Sequence, residues 1–142
     1  MSPPGETNLS TLLASLDPTL DPEIFVFLTT KEPMHKLPLQ SLQPQMLFQE
    51  SEGLTIITSE NLAASHGFGA QATFPCRKIS LKIHSSLEAV GLIAAIAAKL
   101  GEGGISSNVV SGYFHDHIFV PVGREEDALR ALRELAEKAG ST

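Results

Sequence analysis

Between Arg77 and Pro121 the hydrophobic period changes in a fixed order, and that order constrains the fold more than any other feature of the chain. Ile79, Leu81 and Ile83 alternate with Lys78, Ser80, Lys82 and His84, the two-residue period of a half-buried strand over 77–84. Residues 88–100 are too long and too alanine-rich for a strand and predict a helix. After Gly101–Gly104, residues 105–113 and 116–121 are short runs rich in Val, Ile, Phe and Tyr, which predict two more strands. Only Glu88, Gly91 and Lys99 interrupt the apolar surface of the helix. A helix apolar nearly all round is expected to be covered on more than one side, by the sheet and by a helix of this chain or of a second copy.

The flanking segments add simpler elements. Leu9, Leu12, Leu13 and Leu16 give a short N-terminal helix an apolar stripe, with Asn8 or Ser10 as its cap and Asp17-Pro18 as its end. Residues 23–30 form a continuous apolar run that predicts a strand covered on both sides. Pro33, Pro38 and Pro44 exclude a long regular helix over 31–45. Residues 46–50 and 54–58 flank Ser51-Glu52-Gly53 as a hairpin, and Ser59 caps a short helix over 60–66. Residues 72–84 read as one long strand with Pro75 at an edge or bend. Residues 124–138 form an amphipathic helix whose solvated side offers Glu126–Arg130, Arg130–Glu134 and Glu134–Lys138 at i,i+4.

Composition narrows the function classes. A formal charge of −6 without a basic cluster argues against nucleic acid or an anionic membrane surface as partner. The longest apolar run is about half of a bilayer crossing, and no signal segment opens the chain. One cysteine, Cys76, excludes an intramolecular disulfide and a cysteine-only metal cage within one chain. The expectation is a cytoplasmic protein without a cofactor.

The segment β(77–84)–α(88–100)–β(105–113)–β(116–121)–α(124–138) resembles the βαββαβ order of ACT domains, ferredoxin-like regulatory modules that bind amino acids and related small molecules. The resemblance is carried by His84-Ser-Ser-Leu-Glu-Ala-Val-Gly-Leu92, by Gly104-Ile-Ser-Ser-Asn-Val-Val-Ser-Gly-Tyr113 and by His115-Asp-His-Ile-Phe-Val-Pro121. It is similar to the small tandem-ACT proteins related to CASTOR-type amino-acid sensors and to the aspartokinase regulatory region. It implies an α+β fold with tandem, interlocked halves and an antiparallel sheet with helices on one face. A degenerate ACT-like half would span 1–76 and a C-terminal ACT domain 77–142. The second lacks its own last strand after 138, so the first half is expected to lend one, with 23–30 as the candidate.

By the same resemblance, the strand-to-helix turn forms the ligand pocket. It is lined by Ser85, Ser86, Leu87, Glu88, Ala89, Val90 and Gly91, with Asn108, Val109 and Val110 at the sheet edge facing it. Ser85 and Glu88 have the spacing of a capping box, and a helix N-terminus also suits a carboxylate, so capping and ligand binding use one geometry. Gly91, costly inside a helix, marks a close approach. His115, Asp116 and His117 offer a ligand or pH-sensitive contact, with His115 and His117 on one strand face and Asp116 at the hairpin turn. No metal is assigned to them, because nothing else in the sequence completes a shell. Three functions follow: a non-enzymatic sensor of a free amino acid at an ACT–ACT interface, a small metal-dependent or acid–base enzyme using 115–117, or a structural homodimer without ligand.

Overall fold

A computed structural model describes residues 8–83 and 89–141. The chain forms two compact units, a continuous one from Pro22 to Cys76 and a two-segment one that joins Met1–Asp21 to Arg77–Thr142. Strands β1 (Pro18–Thr30) and β4 (Thr73–Leu81) each begin in one unit and end in the other.

The continuous unit contains α2 (Leu39–Leu42), β2 (Met46–Glu50), β3 (Gly53–Ser59) and α3 (Glu60–Ser65), besides its parts of β1 and β4. Its strand order is β2-β3-β1-β4. Strand β3 is antiparallel to both neighbours, with Leu28 opposite Ile56 on one side and Leu47 opposite Ile56 on the other. Phe25 and Val26 are consecutive and both buried, so β1 is shielded on both faces as its unbroken apolar run predicts. The three prolines confine residues 31–45 to a 3-10 turn at Met34–Lys36 and the single turn of α2. Ser59 Oγ accepts from the Leu62 N–H at 3.1 Å and starts α3 where predicted. Val26, Leu28, Leu42, Leu54, Ile56 and Ala63 form the core. The buried Thr58 Oγ1 donates to the Leu42 carbonyl at 2.6 Å, tying α2 to the sheet.

The two-segment unit contains α1 (Leu9–Ala14), α4 (Leu92–Glu102), β5 (Asn108–Ser111), β6 (Asp116–Pro121) and α5 (Glu125–Gly140), with the strand order β1-β4-β6-β5. Its borrowed strand is the opening of β1, residues 18–21. The expected candidate 23–30 belongs instead to the continuous unit. Thr19 Oγ1 donates to the Ser80 carbonyl at 3.3 Å, the Lys82 N–H to Asp17 O at 3.4 Å, and Arg77 Nη2 to Asp21 O at 2.9 Å. Partners that ascend in β4 as they descend in β1 define an antiparallel pair. The strand starts five residues earlier than its apolar run because pairing with β4 holds a polar segment extended.

Helices α1, α4 and α5 share one core with Ile79, Leu81, Ile118 and Val120, so the helices lie on one face of this unit's strands. One expectation about α4 is corrected. The helix starts at Leu92, because Gly91 caps it in a left-handed conformation (φ 92°) and the Ala95 N–H donates to Gly91 O at 2.9 Å. As expected for a largely apolar helix, it packs both on the strands and on α1 and α5 of the same chain: Leu92, Ile96 and Leu100 are buried, while Ala94, Ala97 and Ala98 are exposed. On α5 the predicted i,i+4 pairs give way to others. Arg124 and Arg130 both hold Asp127, at 3.1 and 3.2 Å, and Glu134 reaches Lys99 of α4 at 3.1 Å. Among the described residues no helix is long and apolar enough to cross a membrane.

Candidate functional site

Four of the predicted ligand residues, Ser85, Ser86, Leu87 and Glu88, lie outside the described residues, as does His84. With Gly91 as the cap residue, α4 does not begin at the predicted Ser85–Glu88 box. Gly91 therefore carries no helix-interior penalty. Its positive φ is the conformation glycine adopts at least cost, and a Cβ there would stand 3.3 Å from Leu9 Cδ2. Ala89 packs on the core, and Val90 beside it is 83% exposed.

Asn108, Val109 and Val110 fall on β5, the outermost strand of the two-segment unit. Asn108 pairs with Phe119, Val109 with Ile118 and Val110 with His117. Val109 accordingly leans on the helix-side core, while Asn108 is exposed on the other face. An exposed polar side chain on an edge strand is free to meet a ligand or a partner strand.

The histidine pair is arranged differently from the expectation. The turn is formed by 112–115, and Asp116 opens β6 as a buried residue. His115 lies outside the strand, where its Nδ1 sits 3.0 Å from the Ile83 carbonyl, so that nitrogen carries the proton. His117 Nδ1 sits 2.8 Å from Ser80 Oγ. Burial, then Lys78, then His115, lower the His117 pKa; Asp116 opposes this and Lys82 adds to it. Gly112 is required beneath the pair, because a Cβ there would lie 2.9 Å from His115 O. Among the described residues no three His, Cys, Asp or Glu side chains are placed to hold a metal together. The 115–117 cluster thus fixes the β5–β6 turn against the end of β4 and forms no metal shell with other described residues.

One pair escaped the sequence reading. His66 Nδ1 lies 2.9 Å from Leu62 O, which fixes the neutral tautomer, so Ser41 Oγ donates to His66 Nε2 at 2.9 Å. Ser41 Oγ also lies 3.2 Å from Pro38 O. The pair pins α2 to the end of α3. Nothing in the 25-residue separation announces it.

Two models of the ACT domain match the chain, one over residues 4–77 and one over 73–134. The chain belongs to the ACT domain family. Among solved structures it is similar to a Vibrio cholerae protein of unknown function described as a possible transport protein. The two share 42% identity over 90% of this chain and 95% of the other, with a TM-score of 0.79. The ligand-free regulatory subunit of aspartate kinase from Thermus thermophilus shares the fold, with a TM-score of 0.62 at 14% identity over 85% of this chain and 97% of the other. An Agrobacterium tumefaciens protein does so at 0.66 and 14%, over 84% and 87%. No curated protein matches.

Proposed function

We propose that this protein is a non-enzymatic regulatory module that binds a free amino acid or a similar small metabolite at an ACT–ACT interface of a homodimer. The observation that carries this reading is the pair of ACT matches in tandem over residues 4–134. The aspartate kinase neighbour, itself a regulatory subunit, supports it through its fold. The binding residues are Ser85–Gly91 with Asn108, Val109 and Val110. Backbone N–H groups of the turn hold the ligand carboxylate, and Glu88 meets its amino group. The exposed Asn108 on an edge strand and the left-handed Gly91 before α4 are both compatible with a ligand between adjoining units. Binding ties the units together and shifts an assembly or conformational equilibrium. A thermal-shift screen of the common amino acids tests this: a ligand at 100 times its Kd stabilises by about 2.7 kcal/mol. No shift with any of them overturns the reading.

A further inference from the structure

Within the continuous unit, Ser41 and His66 meet with the polarity that an activated hydroxyl requires. The Leu62 carbonyl, 2.9 Å from His66 Nδ1, holds the ring proton on that nitrogen and leaves the Nε2 lone pair turned to Ser41 Oγ, 2.9 Å away. Ser65 Oγ, 3.2 Å from Nδ1, donates its own proton to the same carbonyl at 3.1 Å and leaves that tautomer in place. A nucleophile, a base within hydrogen-bond reach and a third group that orients the base are the parts of nucleophilic catalysis, here with a backbone carbonyl as the third. The Pro38 carbonyl, 3.2 Å from Ser41 Oγ, accepts a hydrogen bond but cannot take the proton away, so His66 is the base.

Both side chains stand on anchored backbone. Leu42, next to Ser41, is fully buried, and its carbonyl accepts from Thr58 Oγ1 at 2.6 Å. His66 closes the end of α3, its N–H donating to Leu62 O at 3.1 Å. A pair held from both sides in this way needs little further ordering before it reacts. Ser41 is exposed and lines an open hollow of about 590 Å3 with Leu37, Pro38, Leu39 and Gln40. The half-buried Leu37 and Leu39 give that hollow an apolar wall, and its volume suits a small ligand.

We propose that Ser41 is an acyl-acceptor site, a nucleophilic serine that takes a small acyl group from an activated ester or thioester with His66 as its base. Ser41 Oγ attacks the carbonyl carbon as its proton passes to His66 Nε2. The bond from that carbon to the leaving oxygen or sulfur then breaks, and the leaving group departs as the alcohol or thiol with the proton from Nε2. The acyl group remains on Ser41 as an ester. That ester has no hydroxyl proton, so Ser41 no longer donates to His66 and the tie between α2 and α3 is lost. This chemistry is independent of the ligand-binding reading, since it uses other residues.

Incubation of the full chain with p-nitrophenyl acetate, followed by peptide mass mapping, tests it. The expected result is an acetyl group on Ser41, gained about tenfold or more faster than on Ser51, an exposed serine whose hydroxyl donates to Glu52 Oε1 at 2.9 Å. A carboxylate is a far weaker base than an imidazole, so Ser51 reports the reactivity of an ordinary serine. His66→Gln keeps a hydrogen-bonding side chain but cannot take the proton. It is expected to slow labelling of Ser41 by about a hundredfold or more, the usual contribution of a general base, with the melting temperature confirming the fold. The comparison of Ser41 with Ser51 is made within the unaltered chain and decides the matter even where His66→Gln unfolds. Labelling confined to lysines and the N-terminus, equal labelling of Ser41 and Ser51, or an unchanged Ser41 rate in folded His66→Gln overturns the acyl-acceptor site. Each of these results leaves amino-acid sensing standing, because the thermal-shift screen decides that separately.

Discussion

The two units use the same strand arrangement and stabilise it to different degrees. In the two-segment unit three helices cover the strands, and the core has 13 buried residues among those described. The continuous unit has six, because a single helical turn and the six-residue α3 stand where longer helices would lie. The proline-rich connection causes the deficit: with φ fixed and donors missing at Pro33, Pro38 and Pro44, no amphipathic helix can form to bring in an apolar stripe. The smaller core is supplemented by specific polar ties, Thr58 to Leu42 and Ser41 to His66. A fold carried by a few such ties opens locally more readily than one carried by apolar area.

Truncation in each core tests this directly. Ile96 is fully buried among side chains of α1, α5 and the strands, and Ile96→Ala is expected to cost about 3–5 kcal/mol. Leu42→Ala, equally buried in the continuous unit, is expected to cost about 2–3 kcal/mol, since a one-turn helix collapses more easily into the space left. Urea unfolding measures both. Native-state hydrogen exchange should show β2 and β3 amides exchanging before those of β6. A larger loss at Leu42 than at Ile96 would break the comparison.

The same contrast explains what the sequence made legible. The order of elements over 77–138, the hairpin at 46–59 and the cap at Ser59 were all readable, because period, glycine turns and capping side chains act within a few residues. The strand exchange was half readable. A missing last strand pointed to a loan from the N-terminal half, but the lender was misplaced, since 18–21 is polar and becomes a strand only by pairing with β4. The start of α4 was missed for a related reason. The sequence spacing of Ser85 and Glu88 suggests a cap, while the cap residue of α4 is a glycine that works through backbone conformation and shows no side-chain signature. Of the candidate site, the β5 residues were placed on the correct strand. The Ser41–His66 contact and the tethering of His115 to Ile83 join distant positions and had no local signal.

Gly91 and Ser59 allow the two styles of helix start to be compared. Gly91→Ala forces a side chain into a left-handed backbone (φ 92°) with its Cβ 3.3 Å from Leu9, and is expected to cost about 1–2 kcal/mol. Gly91→Asn is expected to recover part of that, because asparagine tolerates the conformation better. Ser59→Ala removes the bond to the Leu62 N–H and is expected to cost about 1 kcal/mol. Melting of the three variants under one condition checks the order. A neutral Gly91→Ala would mean that the turn before α4 is free to rearrange.

The smallest effect is a pH dependence within the two-segment unit. In the two-segment unit His117 is held below its ordinary pKa by burial and by Lys78, so the folded state favours the neutral imidazole. The unfolded chain titrates near the usual histidine value of about 6.5. Above that value both states are neutral and His117 contributes no pH dependence. As the pH falls through it, the unfolded state takes up the proton first, and stability declines until the lower folded pKa is passed. His117→Gln should therefore flatten the decline in urea midpoint between about pH 7 and about pH 5. An unchanged slope in His117→Gln would place the acid sensitivity at another group and remove His117 from any pH-sensitive role at the β5–β6 turn.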